Sequence, residues 1–350
     1  MNLKELLGAV YSIAEERKLD KEKVLEAAKE ALAAAYKKQT QRKGQKIVCD
    51  IDLKSGKTTF FQVLQVVAEK EKENPEFKFN EQRHIFLEDA KKIKPDVNPN
   101  EEILIELPPL ETFGRIASQT GKQVFLQQLR EIEKNTLWEE WKDKEEKIVS
   151  GAVQKVEKNK VYVQLGNVLG ILKKEDQIPN EFYRIGQRLK AYVIKVEKTP
   201  KGPEIYLSRS FPKFVSKLFE LEVPEIARGE VKIVAIAREP GVRTKIAVKS
   251  EVKEVDPVGA LVGYKGMRIK NVIDELGGEK IDVILYSEDP KEFIKNAFAP
   301  AQIKEVSIEK NTATCAVEKS QVSLAIGKDG LNVKLVSKLT GYKIDIKEIQ

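Results

Sequence analysis

The C-terminal part of the sequence contains two copies of one pattern, and this internal repeat limits what the chain can fold into. The segment "ALVGYKGMRIKNVIDELGGEKIDVIL" at residues 260–285 is matched by "LAIGKDGLNVKLVSKLTGYKIDIKE" at residues 324–348. In each copy a helical segment and two alternating strands precede a pair of glycines and a further helical segment, and a strand follows them. Repeats of this length predict two copies of a small α+β domain.

Each copy contains a G-x-x-G tetrad between a short helix and the N-terminus of a longer one. The missing Cβ atoms allow a sugar-phosphate backbone to approach closely, and the helix N-terminus presents N–H groups and a positive dipole end to phosphate. A single tetrad is typical of an ordinary tight turn, whereas two tetrads in matching units favour KH domains, whose loops clamp single-stranded nucleic acid. The tetrads are Gly263-Tyr264-Lys265-Gly266 and Gly327-Lys328-Asp329-Gly330.

Basic and aromatic side chains in and after the tetrads supply the predicted RNA contacts. Lys265 and Lys328 place positive charge within the loops, and Tyr264 is placed either to stack on a base or only to pack. The predicted contacts of the first unit are its four tetrad residues and Arg268. Those of the second unit are its four tetrad residues and Lys334.

The stretch from residue 148 to residue 210 has a different character. It contains about five short alternating strands with glycine and asparagine turns, which predicts a small β-barrel of the OB type. Bases of single strands stack on aromatic side chains beside basic ones, so the candidate RNA contacts here are Tyr162, Lys173, Tyr206 and Arg209. Alternatively, the tyrosines cap the barrel edge with their hydroxyls in water.

The N-terminal part reads as an α/β domain. Apolar stripes predict helices at residues 3–17 and 21–42, three alternating runs predict strands, and residues 112–147 predict a charged helical arm. The segment "SGKTT" resembles the end of a phosphate-binding loop, but the glycine that this loop needs is replaced by Ile51. We therefore interpret Ser55 and Gly56 as a hairpin turn between two strands.

Charge and composition favour an RNA-binding protein over an enzyme. Of the net charge of +7, residues 1–147 contribute −1 (27 basic, 28 acidic) and residues 148–350 contribute +8 (35 basic, 27 acidic). A basic half of this kind favours a polyanion partner, although a soluble basic surface accounts for the charge nearly as well. With 1 histidine and 2 distant cysteines, we predict no catalytic residue, no metal and no cofactor. The absence of a long apolar run predicts no membrane segment. The two distant cysteines favour a reducing compartment, so we expect a cytoplasmic protein.

The order of these parts resembles the NusA family of bacterial transcription termination/antitermination factors over the whole chain. The resemblance is carried by "GRIASQTGKQVFLQQLREIEKN", by "DPVGALVGYKGMRIKNVIDELGGEKIDVILYSEDPKEFIKNAFAPA" and by "LAIGKDGLNVKLVSKLTG". It implies an N-terminal domain that docks on the β flap of the RNA polymerase core, with Arg115 and Lys122 facing the RNA exit path. It also implies an S1-like OB barrel, whose arginine after the last strand matches Arg209, and two KH domains that act as one RNA surface.

We therefore expect a multidomain α+β protein with an N-terminal α/β domain and arm (1–147), a five-stranded OB-fold barrel (148–210) and two tandem type II KH domains (211–287 and 288–350). The expected function is that of a non-enzymatic transcription elongation factor, a monomer that guides nascent single-stranded RNA and modulates pausing, termination and antitermination. The resemblance adds other Nus factors and the termination factor Rho as partners. Two alternatives are an RNA chaperone in ribosomal RNA maturation and an enzyme of RNA decay.

Overall fold

The computed structural model describes residues 3–52, 57–69, 71, 77–110 and 112–349. The chain forms two compact units, Met1–Leu137 and Trp138–Gln350. The predicted turn at Ser55 and Gly56 lies outside the described residues.

The first unit combines helices with a small mixed sheet. Strand β2 lies between β1 and β3 and also pairs with β4, and the β2–β3 pair alone is parallel. Asp20 caps the second helix by accepting from the backbone N–H groups of Glu22 and Lys23. The elements are α1 (Leu3–Glu16), α2 (Lys21–Gln39), β1 (Lys46–Ile51), β2 (Thr58–Val67), β3 (His84–Phe86), α3 (Leu87–Ile93), β4 (Glu102–Glu106) and α4 (Arg115–Lys142).

Helix α4 ends at Lys142, five residues before the predicted end of the arm. Tertiary bonds to the following barrel explain the difference. The backbone N–H of Glu146 donates to Val193 O at 2.9 Å, and the carboxylate of Glu145 accepts from Val196 N at 2.7 Å. These bonds hold residues 145 and 146 against the barrel edge. They replace the helical hydrogen bonds that the composition of residues 143–147 favours.

A closed five-stranded barrel begins the second unit and confirms the predicted architecture. Its strands lie in the order β5-β6-β7-β9-β8, with β7 and β9 parallel and the other pairs antiparallel. Alternate residues point inward and are buried, as Val161, Val163 and Leu165 show on β6. The strands are β5 (Ile148–Val156), β6 (Lys160–Leu165), β7 (Val168–Lys173), β8 (Arg188–Thr199) and β9 (Gly202–Ser208).

Two α+β units with the predicted order of elements follow the barrel. In each three-stranded sheet the first two strands are antiparallel, and the last strand lies parallel to the second. The first KH unit consists of α5 (Pro212–Glu222), α6 (Pro224–Ala227), β10 (Val231–Glu239), β11 (Arg243–Ser250), α7 (Pro257–Val262), α8 (Met267–Glu275) and β12 (Lys280–Leu285). The second consists of α9 (Pro290–Ala297), β13 (Glu305–Glu309), β14 (Thr312–Glu318), α10 (Val322–Ile326), α11 (Leu331–Thr340) and β15 (Lys343–Ile349).

Buried charged groups connect the parts of the second unit. Arg238 and Glu279 form an ion pair in which both side chains are 0% exposed, and Arg238 also donates to the carbonyl oxygens of Arg209 and Phe211. Buried Lys245 donates to Asp282 at 3.1 Å and to Ala299 O at 2.7 Å, and this second bond reaches the second KH unit. Burial lowers the pKa of Lys245, while Asp282 raises it.

Candidate nucleic-acid interface

The two tetrads have the same backbone conformation. The first glycine has φ 71° and ψ 176° at Gly263 and φ 75° and ψ 171° at Gly327. The third residue is left-handed in both, with φ 50° at Lys265 and φ 55° at Asp329. The last glycine is also left-handed, at φ 74° and φ 72°. The two tetrads therefore share one loop shape although both of their middle residues differ. Two unrelated tight turns would have no reason to share it.

The first and last glycines of each tetrad are required for different physical reasons. A Cβ on Gly263 would lie 2.7 Å from Arg268 Cγ, and a Cβ on Gly327 would lie 2.8 Å from Asn332 Cβ. By contrast, a Cβ on Gly330 would meet nothing within 4 Å, and one on Gly266 would only touch Ile269 at 4.0 Å. The first glycine thus allows internal packing, whereas the last leaves open space that a sugar-phosphate backbone can enter.

The two loops carry their lysines at different positions. Lys265 is the third residue of its tetrad and Lys328 is the second residue of the other, and both are exposed. Tyr264 is 77% exposed, and the Nζ of Lys265 lies 5.3 Å from the centre of its ring. Helices α8 and α11 start directly after the tetrads, so their N-terminal N–H groups add to the positive potential at both loops.

Arg268, which the sequence predicts as an RNA contact, has a side chain that is 32% exposed and is bonded to other parts of the first KH unit. Its Nη1 donates to Glu225 Oε2 at 3.0 Å and to Ala260 O at 2.7 Å, so the guanidinium is held against α6 and α7. Lys334 remains exposed, although its Nζ pairs with Glu239 Oε2 of the first KH unit at 3.0 Å. Lys334 can therefore bind a phosphate only if its ion pair with Glu239 is broken or if its ammonium group contacts both.

An open groove of about 670 Å³ lies on one side of the first tetrad. Its lining includes Arg228 and Arg268, which pair with Glu230 and Glu225, so two of its four carboxylates are neutralised by arginines of the same groove. The acidic side chains that line the groove are Glu225, Glu230, Glu254 and Asp256.

On the barrel, strand register places two lysines, two tyrosines and one isoleucine in a single row, which we call the barrel row. Tyr162 is paired with Ile171, and Ile171 is paired with Tyr206, on three adjacent strands. Lys155 continues the row beyond Tyr162, and Lys195 continues it beyond Tyr206. Residues paired in register lie on the same face of a sheet, so the row forms an aromatic centre with a basic residue at each end.

Carboxylates already contact the barrel row. Lys155 pairs with Glu157 at 2.6 Å, Lys195 pairs with Glu197 at 2.5 Å, and the Tyr206 hydroxyl donates to Glu204 at 2.8 Å. This last bond, together with burial and neighbouring carboxylates, raises the pKa of Tyr206 to about 12, so the ring is neutral at physiological pH. Lys173, also predicted from the sequence, has its Nζ 4.9 Å from the centre of the Tyr206 ring. Exposed ion pairs contribute little to stability, so phosphates can replace these carboxylates at small cost.

The structure corrects the interpretation of Arg209. This residue is only 2% exposed, and it binds both carboxylate oxygens of Glu181 at 2.8 and 2.9 Å. It further donates to the carboxylate and the carbonyl oxygen of Glu275, and to Lys190 O. Because Glu181 belongs to the barrel and Glu275 to α8, Arg209 connects the barrel with the first KH unit and has no surface to offer to RNA.

In the first unit, the predicted exit-path residues lie on one helix. Arg115 begins α4, and Lys122 lies on an exposed stripe of this helix that borders an open groove of about 460 Å³. Arg130, eight residues after Lys122, is a basic residue on the same stripe that we did not predict. The stripe consists of Gln119, Lys122, Gln123, Leu126, Gln127 and Arg130.

The described residues show no arrangement typical of a metal or nucleophilic centre. Among them, no group of three or more His, Cys, Asp or Glu side chains is placed to hold a metal ion. Burial raises the pKa of the Cys49 thiol to about 12 and that of Cys315 to about 11, so neither forms a thiolate at neutral pH. No helix in the described part of the chain has the length and apolar content that crossing a membrane requires.

Comparison with known proteins yields the same order of parts. Family models match at residues 5–135 (NusA N-terminal domain), 142–208 (S1 RNA binding domain), 209–286 (NusA-like first KH domain) and 290–350 (NusA-like second KH domain). The chain is 43% identical over 345 residues to a transcription termination/antitermination protein NusA from Halalkalibacterium halodurans, which covers 98% of this chain and 88% of that protein.

Two further relatives have the same printed name. The Bacillus subtilis protein is 41% identical, with 98% of this chain and 90% of that protein covered. The Thermus thermophilus protein is 42% identical, with 99% and 90% covered. A solution structure of the N-terminal domain of NusA from B. subtilis is 32% identical and covers 37% of this chain and 97% of that domain, with a TM-score of 0.27.

Proposed function

The chain belongs to the NusA family of transcription termination/antitermination proteins, and on this premise we propose how its residues handle RNA. It is a non-enzymatic transcription factor, with an S1 domain and two KH domains as its RNA-binding parts. In our proposal the second unit holds one nascent single strand of RNA at the two tetrads and at the barrel row, while the first unit keeps the protein on RNA polymerase.

The observation that carries this proposal is the shared geometry of the tetrads. Both loops have a left-handed third residue and a left-handed last glycine, and both directly precede a helix N-terminus. The space at the last glycine is open in both. A phosphate in this space meets helix N–H groups and either Lys265 or Lys328, which is the kind of contact that positions a backbone without reading its sequence.

The barrel row supplies flat side chains for bases, of which the two tetrads contain one, Tyr264. In this proposal Tyr162 and Tyr206 stack on unpaired bases while Lys155, Lys173 and Lys195 attract the phosphates between them. Each stacked base contributes about 1–3 kcal/mol of binding free energy in single-strand binding proteins. Each of these sites alone binds weakly, and tethering on polymerase raises the local concentration of RNA enough for them to act.

In this proposal the first unit contacts both RNA and polymerase. The stripe on α4 gives it basic residues that suit a phosphate backbone, with Arg115, Lys122 and Arg130 as the proposed contacts to RNA near the exit path. Docking on the β flap of polymerase, and contacts with other Nus factors and Rho, come from the resemblance alone.

A transcription assay tests the proposal. RNA polymerase core would transcribe a template with a hairpin pause and an intrinsic terminator, with the full chain either absent, added, or added as the double variant Lys265→Asp, Lys328→Asp. We expect the unsubstituted chain to change pause duration and the terminated fraction, and the double variant to lose most of this effect, since its tetrads repel phosphate.

A matched control separates the tetrads from net charge. The double variant Lys253→Asp, Lys319→Asp makes the same change in charge at two exposed lysines that precede α7 and α10. It should behave as the unsubstituted chain does. An unsubstituted chain that binds RNA but leaves pausing and termination unchanged would contradict the proposal and favour an RNA chaperone that acts away from polymerase.

A further inference from the structure

We propose that Arg268 and Asn332 are positioning residues that hold the two tetrads in their RNA-binding shape without touching RNA. The inference rests on the proposed function of the tetrads and concerns how the loops are kept in place. The two residues occupy equivalent positions, each five residues after the first glycine of its tetrad, at Gly263 and Gly327. Their side chains are chemically unlike, so an equivalent bond made by both indicates a requirement of the fold at this point.

In the second KH unit, Asn332 binds the carbonyl end of the preceding helix. Its Nδ2 donates to Ala325 O at 3.0 Å, to Leu324 O at 3.4 Å and to Phe298 O at 3.3 Å. Carbonyl groups in the last turn of a helix have no partner within that helix, so α10 depends on such a donor to end in an ordered way. The bonds therefore fix the point from which the tetrad starts.

In the first KH unit, Arg268 makes the equivalent bond. Its Nη1 donates to Ala260 O at 2.7 Å, and Ala260, like Leu324, lies three residues before the first glycine. The same nitrogen donates to Glu225 Oε2 at 3.0 Å, which anchors the guanidinium to α6. The tetrad is thus connected to a second element in both units, through α6 in the first and through Phe298 after α9 in the second.

The same two side chains also pass directly beneath the first glycines. The position of a Cβ on Gly263 would be 2.8 Å from Arg268 Cδ and 2.7 Å from its Cγ. That on Gly327 would be 2.8 Å from Asn332 Cβ and 2.9 Å from Asn332 N. Each tetrad therefore rests on the stem of the side chain that binds its preceding helix, so displacement of this stem moves the loop.

The second KH unit provides an additional indication that Asn332 is a positioning residue. Asn332 is buried, and its Oδ1 has no hydrogen-bond partner among the described residues. A buried acceptor without a partner destabilises a fold and requires an explanation. The two N–H groups of Nδ2, shared among three carbonyl oxygens, explain why an amide lies here, since an apolar side chain of similar size would leave the carbonyl groups of α10 without their donor.

The test uses the full chain and a short labelled single-stranded RNA, with affinity measured at several salt concentrations. The variants are Arg268→Met, which keeps the stem but not the donors, and Asn332→Ala. We expect each to lower RNA affinity by roughly 3- to 10-fold, the effect of losing one ordered hydrogen-bonded contact. The slope of affinity against salt should stay as in the unsubstituted chain, because no phosphate contact is removed.

The salt slope separates positioning from direct contact. If Arg268 touched a phosphate, Arg268→Met would reduce the slope by about 0.7, the value for one phosphate of a single strand, and this result would overturn the inference for Arg268. Arg268→Lys keeps one donor for Ala260 O and should recover part of the affinity. Arg184→Met removes an exposed arginine in the barrel loop that precedes β8, and it should change neither the RNA affinity nor its salt slope.

Hydrogen exchange measured on the same variants distinguishes a local change in the tetrad from unfolding of the whole KH unit. We expect faster exchange at residues 264–266 in Arg268→Met and at residues 328–330 in Asn332→Ala, with the sheets still protected. Unchanged exchange together with unchanged affinity in both variants would overturn the inference. If the unsubstituted chain binds no RNA, or binds it as well as Lys265→Asp, Lys328→Asp does, the proposed function of the tetrads fails instead.

Discussion

Replacement of Glu279 by glutamine is expected to destabilise the second unit by about 3–5 kcal/mol, because it leaves the buried charge of Arg238 without its partner. Both oxygens of the carboxylate are used. Arg238 donates to them at 2.9 Å from Nε and at 2.9 Å from Nη2, and Gly241 N donates at 2.8 Å. The hydroxyl of Thr244 is a further donor. A glutamine amide would place two N–H donors against this ring of donors.

Urea unfolding of the full chain measures this effect. The 2 tryptophans of the sequence, Trp138 and Trp141, lie on the last turns of α4, so their fluorescence reports on this helix end, and far-UV circular dichroism follows the loss of secondary structure in the whole chain. Glu230→Gln is the matched control, since Glu230 pairs with Arg228 at side-chain exposures of 32% and 58%. It should cost at most about 1 kcal/mol. Equal losses for the two variants would show that the buried pair has no special role.

The second large effect is expected at the two glycines of the second tetrad. Substitution by alanine should lower stability more at Gly327 and RNA affinity more at Gly330. Gly327→Ala combines a backbone region that only glycine enters readily (φ 75°, ψ 171°) with a Cβ 2.8 Å from Asn332. We expect a loss of about 3 kcal/mol of stability, from strain of about 1–3 kcal/mol plus the clash. Gly330→Ala has a left-handed backbone at φ 72° with open space, so its loss should be near 1 kcal/mol.

RNA affinity should show the reverse order in protein that remains folded. At Gly330 the added methyl group stands where a phosphate is proposed to approach, so Gly330→Ala should weaken RNA binding although it is the milder change for stability. Thermal unfolding and an anisotropy titration on the same samples measure both quantities. If Gly330→Ala kept full affinity, the open space at the last glycine would not be the RNA contact.

The repeat and the barrel could be predicted from the sequence because local pattern and tertiary structure agree there. The order of elements around Gly263 and around Gly327 is confirmed, and so is the five-stranded barrel. In these parts the apolar residues alternate on strands and follow helical spacing on helices, so each segment indicates both its type and its buried face. The segments that precede the tetrads are the clearest examples.

Residues 84–93 of the first unit show where this approach fails. The segment forms β3 and α3, for which the sequence pattern gave no prediction. In α3 only Ala90 is buried, so the helix carries no apolar stripe that could be recognised. Strand β3 is only three residues long and is defined by its parallel pairing with β2, a contact between segments that are distant in sequence.

For the candidate RNA interface, the sequence identifies aromatic and basic residues but not the side chains that surround them in the fold. Tyr162 and Tyr206, both predicted from the sequence, lie in one row with Lys155, Ile171 and Lys195, and only strand register shows that these residues share a face. Arg209 is buried and Arg268 is 32% exposed, and they pair with glutamates that lie 28 and 43 residues away in the chain. The partners of these arginines depend on tertiary packing, which a linear pattern does not contain.

The central claim is that the two tetrads hold the phosphates of single-stranded RNA. The most direct test is an anisotropy titration of a short labelled single-stranded RNA with the full chain, at two salt concentrations, beside Lys265→Asp, Lys328→Asp and the charge-matched control Lys253→Asp, Lys319→Asp. We predict that the tetrad variant loses roughly 10-fold or more in affinity and that its salt slope falls by about 1.4, or two phosphate contacts. The control should lose far less. Equal affinities for the tetrad variant and the control would contradict the claim and would make the glycines ordinary turns.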